Sequence, residues 1–146
     1  MNTFLRELIF PCGPQSSSAV NWILLVIRLI FGTLLLVHGI QKVVSYHTLS
    51  TTFADPIGLG SQLSLNLAIF AELICSLGII FGFLFRLSLI PVIVTMFVAA
   101  FFALKGAPWV QRELPLSYLL VMLLLMVSGP GRYSLDTLVS RWLGWL

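Results

Sequence analysis

Charge is what this sequence has least of. Its 146 residues carry 8 lysines and arginines and 5 aspartates and glutamates, 9% charged in all, where soluble domains run near a quarter. Hydrophobic residues make up 59% and the mean hydropathy is +1.06. Such a chain has too little polar surface to cover a water-soluble core, so an integral membrane protein is expected. The formal charge of +3 is spread thinly. There is no basic run and no basic–aromatic patch, which excludes nucleic acid as a partner and leaves anionic lipid headgroups as the better match. Cysteine is scarce too. Cys12 and Cys75 are far apart and no CxxC is present, so neither a thioredoxin-like centre nor a cysteine zinc site is supported. The two histidines, His38 and His47, fall in a span and a loop, so no facing pair exists to ligate haem. With no metal, flavin or dithiol motif, the chain is not expected to carry electrons or catalyse alone. Repeats and low-complexity segments are absent as well.

What is present is long apolar runs. A helix needs about 20 apolar residues to cross the hydrocarbon core. Residues 21–44, 63–84, 87–104 and 114–129 meet or approach that length. The expected architecture is therefore all-α, a single membrane domain over 1–146 built as a four-span bundle. Trp109, Tyr118 and Tyr133 are expected as interface anchors. Residues 45–62 read as a loop with a short helical turn, Phe85–Arg86 as a tight connection, and 105–113 as the third link. The residues before Pro11 do not resemble a cleavable signal, so the first span is expected as an uncleaved anchor. After GPGRYS, residues 134–146 read as an interfacial helix, with Ser134 as N-cap, Asp136 in the first turn, and apolar residues at 135, 138, 139, 142, 143 and 146. FLRELIF near the start is a second interfacial candidate. Four spans put both termini on one side, with Arg6, Arg86, Arg132 and Arg141, which favours cytoplasmic termini.

Against this background, charges inside the spans need a reason. A charge at the bilayer centre costs about 2.5–3.5 kcal/mol on insertion scales. Arg28 lies about 10 Å into the first span and Glu72 about 14 Å into the antiparallel second. An Arg28–Glu72 pair facing the interior is therefore expected. Arg28, Gly32, Gly39 and Lys42 project to one side of the first helix, with His38 on its flank. Lys42 and Glu113 both lie near the far interface and are expected as a second pair, so the interior balances to neutrality. These residues either fix helix register alone or line a polar site for a headgroup, a quinone carbonyl or a transported molecule; Lys42 also has the option of snorkelling to water. His38 has the pKa range of a proton relay. Smaller signals are read as packing: Gly78 and Gly82 as a small-residue pair, Pro91 as a kink, and Cys75 as a small hydrophobe.

Together these residues resemble the DoxX family of small bacterial membrane proteins. The matching pieces are Arg28, His38–Gly39 and Lys42 in the first span, AEL with Glu72, the turn from Gly82 to Arg86, Glu113, and GPGRYSLD at 129–136, the most specific of them. Phe53, Pro56 and Gly58 are similar to the family's first-loop pattern. The resemblance runs over roughly 21–138. It implies a four-helix bundle in a bacterial inner membrane, related to the membrane subunit of thiosulfate:quinone oxidoreductases, with a quinone as the ligand and a redox protein as the partner. Relatives that handle disulfides need a cysteine pair that this sequence lacks. In the GPGRYSLD turn, Arg132 and Asp136 are expected at the membrane surface, bound to each other, to a lipid phosphate or to the Arg86 loop.

The leading expectation is thus an accessory, non-catalytic subunit of a quinone-linked oxidoreductase in redox or sulfur metabolism, with Arg28, Glu72, His38, Lys42 and Glu113 as its polar interior. Membrane lipids, a redox partner and a second copy of the chain are the candidate partners. A small transporter or channel-like protein and a structural partner of another membrane protein are the alternatives. A water-filled path would mark the first alternative and a dry, fully paired interior the second.

Overall fold

A computed structural model describes residues 17–142. Among these, helices are the only regular structure. Helix α1 spans Ser18–Val44, α2 Tyr46–Thr52, α3 Ser61–Phe81, α4 Phe85–Ala103, α5 Trp109–Ser128 and α6 Leu135–Trp142. Helices α1, α3, α4 and α5 are each long and apolar enough to cross a membrane. FLRELIF, Cys12 and the last four residues lie outside the described residues.

The bundle is apolar on both its inner and outer sides. Inside, Leu35, Ile79, Phe85, Leu89, Val92 and Met122 are fully buried. Outside, Val26, Ile30, Leu34 and Val37 of α1 and Phe97, Leu120 and Leu124 of α4 and α5 are exposed. Helices apolar all round belong in lipid, so this is a multi-pass membrane protein. Neighbours pack in chain order: α1 against α3, α3 against α4, α4 against α5. Tyr118 of α5 closes the ring by meeting the rings of Phe31 and His38 of α1 in T-shaped contacts. It is 4% exposed, so it is a core residue and not the expected interface anchor. Trp109 and Tyr133 are exposed.

Helix ends depart from the apolar runs for identifiable reasons. Helix α1 starts at Ser18 because the Ser17 hydroxyl accepts the Val20 N–H. Helix α3 stops at Phe81, not 84, because Gly82 takes a left-handed conformation (φ 66°). The Phe83 N–H then bonds Gly78 O and the Gly82 N–H bonds Ile79 O, a glycine-closed C-terminus. The connection is therefore residues 82–84, and Phe85–Arg86 open the next helix. Leu84 also has positive φ (45°), a costly conformation for a residue with a Cβ. Helix α5 begins at Trp109, directly after Pro108, so residues 109–113 are helix and not link.

Two helices widen into π turns, α3 at Phe70–Cys75 and α4 at Ala99–Ala103. A π turn carries one extra residue and leaves a backbone group short of its usual partner. In α4, Arg112 of α5 donates through Nε to Ala100 O at 3.1 Å. In α3, the π turn contains Glu72.

Candidate functional site

The buried charged groups gather in two places, on either side of the Leu35 layer of α1, while Ser76, also buried, bonds its hydroxyl to Leu73 O of its own helix. Glu72 sits near the middle of α3, about 16 Å along the helix from Ser61, and is 4% exposed. Its carboxylate accepts a hydrogen bond from Lys42 Nζ and forms the one ion pair among the described residues. The Lys42 side chain is 22% exposed and that of Glu72 5%. One end of the pair is therefore reachable from the surface while the other is enclosed. Gly39 makes the approach feasible. A Cβ there would stand 2.8 Å from the Glu72 carbonyl carbon and from Leu73 N. His38 lies one helical turn from Lys42, and its ring meets Tyr118 edge-on at 6.1 Å between centroids. Lys42, Glu72, His38 and Tyr118 thus form one polar patch on the inward side of α1.

Arg28 is elsewhere, about 21 Å from Lys42 along α1. It is 1% exposed and held by four backbone carbonyls. Nε donates to Ile79 O at 3.0 Å and Nη2 to Ile80 O at 2.9 Å, while Nη1 donates to Pro130 O and, at 3.0 Å, to Tyr133 O. Four of the five guanidinium donors are thereby used. Ile79 and Ile80 lie in the last turn of α3, where carbonyls lack helical partners and the dipole is negative. Arg28 caps that helix and ties it to the turn after α5. The Phe85 ring also faces its Cζ at 5.4 Å. Gly82 is tied to this contact, since a Cβ would come within 2.6 Å of Arg28 Nη2.

The expected Arg28–Glu72 pair is therefore overturned, and with it Lys42–Glu113. The cause is register. Gly32 lies against Ile80 and Gly39 against Glu72, so Arg28 comes level with the end of α3, and Glu72 comes level with the turn of α1 that carries Lys42. Glu113 is exposed at the start of α5, and its backbone carbonyl accepts a bond from Ser117 Oγ.

Asp136 takes one of its expected partners, the loop before Arg86, and not Arg132; it does so as a buried residue, 1% exposed. Its Oδ1 accepts the Leu84 N–H at 2.8 Å and its Oδ2 the Phe85 N–H at 2.9 Å, while its own N–H bonds Gly82 O. It caps α4 from 51 residues away. Burial pushes its carboxyl above the usual range, against the pull of those two N–H groups and of Arg28. Arg132 is exposed, and its backbone N–H donates to Asn21 Oδ1 at 2.9 Å. Asn21, a polar residue of the first span, is 6% exposed and helps seat this turn. Among the described residues no cluster of three His, Cys, Asp or Glu is placed to hold a metal.

A family model described as DoxX matches residues 23–105, more than half of the chain. The chain belongs to the DoxX family. The matched stretch contains both partners of the Lys42–Glu72 pair, Arg28, His38 and the Gly82–Arg86 turn, but stops short of Glu113, Tyr118 and GPGRYSLD. Comparison with curated proteins and with solved structures returned no match.

Proposed function

We propose that this DoxX protein is an accessory membrane subunit whose Lys42–Glu72 patch receives the head of a quinone. The observation that carries the reading is the pair itself: a carboxylate at mid-length of a spanning helix, on a π turn, matched to a lysine that remains partly exposed. Ionisable groups inside a membrane are functional candidates by default, and π turns recur at functional sites. Lysine, histidine and tyrosine supply hydrogen-bond donors suited to quinone carbonyls, and Glu72 sets a carboxylate beside them. Electrons for a quinone's reduction would come from a partner protein; this chain would hold the quinone.

A transport route has less support. It would have to pass Leu35, which is fully buried in the packed core between the two polar ends. The arginine-rich end formed by Arg86, Arg132 and Arg141 favours cytoplasmic termini in an inner membrane.

The test is mass spectrometry of small molecules retained on purification from native membranes in mild detergent. Wild type is compared with Lys42→Gln/Glu72→Gln, which removes both charges together. A quinone present in wild type and lost from a variant of unchanged helix content supports the proposal. Wild type without quinone, or equal retention in the variant, rejects it and leaves the structural role.

A further inference from the structure

At the end of the bundle opposite the Lys42–Glu72 patch, a cavity of about 380 Å³ lies between α1, the end of α3 and α6. Among the described residues three arginines line it, Arg28, Arg132 and Arg141, and no acidic residue does. The three differ in availability. Arg28 is buried and committed to four carbonyls. Arg132 and Arg141 are exposed, and neither is ion-paired with a described residue. Asp136, the nearby carboxylate on α6, is not among the lining residues; it is engaged by the Leu84 and Phe85 N–H groups and offsets the charge of Arg28. Arg132 and Arg141 remain as the cations of the cavity.

The remaining wall is mixed: Tyr133, Ser134 and Thr137 are among its residues, and Leu25, Phe81 and Leu138 give it an apolar side. Helix α6 sets its level. Asp136 and Ser140 are buried against the bundle, while Leu135, Leu138 and Trp142 are exposed on its other face. A short helix divided in this way lies in the membrane interface, which brings Arg141 to the height of lipid headgroups. Cationic forks beside an apolar side, at that height, match a phosphate attached to an acyl chain. Guanidinium groups bind phosphate through paired N–H donors.

We propose that this cavity binds the phosphate of an anionic phospholipid between Arg132 and Arg141, with the lipid chain lying along Leu25, Phe81 and Leu138. The site is separate from the quinone patch and does not depend on it.

The test uses the full chain, delipidated in mild detergent and titrated separately with phosphatidylglycerol, phosphatidylcholine and inorganic phosphate. Lipid binding is read by native mass spectrometry and phosphate binding by thermal shift. The informative variant is Arg132→Gln/Arg141→Gln. Both side chains are exposed, and the bond from Arg132 to Asn21 is made by the backbone and survives. Wild type should retain phosphatidylglycerol in preference to phosphatidylcholine, and the glutamine pair should bind it roughly 30-fold more weakly. Arg132→Lys/Arg141→Lys should recover most of the preference. Inorganic phosphate that stabilises wild type but not the glutamine pair, and displaces the lipid, supports the phosphate site and names free phosphate as a second source of its ligand. Equal phosphatidylglycerol binding by wild type and the glutamine pair, or no preference over phosphatidylcholine, overturns the proposal. If the glutamine pair does not fold, Arg141→Gln alone decides by the same comparison.

Discussion

Glu72 is held by Lys42 and not by Arg28, although both cations belong to the helix that faces it. The distinction is measurable. Lys42→Met leaves the Glu72 carboxylate buried without a partner. A cost of about 3 kcal/mol is expected, the low end for a broken buried pair because Lys42 is partly exposed. Lys42→Met/Glu72→Gln should recover a large part of it. Arg28→Gln and Glu72→Gln share no partner, so their effects should add within about 0.5 kcal/mol. Reversible unfolding of these four variants and of Arg28→Gln/Glu72→Gln in detergent gives both couplings. A larger coupling for Arg28 with Glu72 than for Lys42 with Glu72 would reverse the assignment.

Arg28→Lys should fail as a conservative change. Lysine keeps the charge but offers three donors from one nitrogen, where the site presents four carbonyls on two separate segments. Losing two charge-assisted bonds and leaving buried carbonyls unmatched should cost on the order of 3 kcal/mol. A melting temperature within a degree of wild type would show that charge alone, and not the planar fork, joins α3 to the turn after α5.

The four spans were legible because hydropathy over some twenty residues is a strong signal, and the charged residues Arg28, Lys42 and Glu72 were legible because lipid makes each of them conspicuous. Their partners were not. Pairing between antiparallel helices depends on relative sliding, and that is set here by close contacts at Gly32 and Gly39 and by a π turn at Phe70–Cys75. None of these announces itself in composition. Asp136 was visible as a residue of the GPGRYSLD turn, but its role belongs to α4, 51 residues earlier in the chain. Tyr118 has the look of an interface anchor in the sequence because it stands near the end of the apolar run, but the helix begins at Trp109, which places it about two and a half turns in. Asn21 was overlooked, although a lone amide in an apolar run carried the same signal that Arg28 did.

Gly39 and Gly32 should respond differently to alanine. At Gly39 the new methyl would meet Glu72 backbone, with the carbonyl carbon at 2.8 Å and the oxygen at 2.9 Å, and backbone does not yield cheaply. At Gly32 it would meet Ile80 Cγ1 at 2.6 Å, part of a side chain with other rotamers. Gly39→Ala should therefore cost about 2–3 kcal/mol and loosen the Lys42–Glu72 pair, with Gly32→Ala nearer 1 kcal/mol. The order is the prediction, and unfolding midpoints of the two variants check it.

Asp55 organises the loop before α3 and should give that loop a characteristic acid response. Its carboxylate accepts the Leu59 N–H at 2.8 Å, the Gly60 N–H at 2.7 Å and the Ser64 hydroxyl at 3.0 Å. These donors, the Gly60 N–H foremost, hold its pKa below the ordinary 3.8. A depressed folded-state pKa means that the unfolded loop takes up the proton first. The carboxylate's contribution is therefore complete above 3.8 and is lost only as pH falls through the lower folded value. Amide proton shifts of Leu59 and Gly60, followed against pH, should be flat through pH 5 and turn over below 3.8. Asp55→Asn should remove that titration and shift both amides at every pH. A midpoint above 3.8 in wild type would mean that the carboxylate gains nothing from these N–H groups and that the loop is ordered by Gly58 and Gly60 geometry alone.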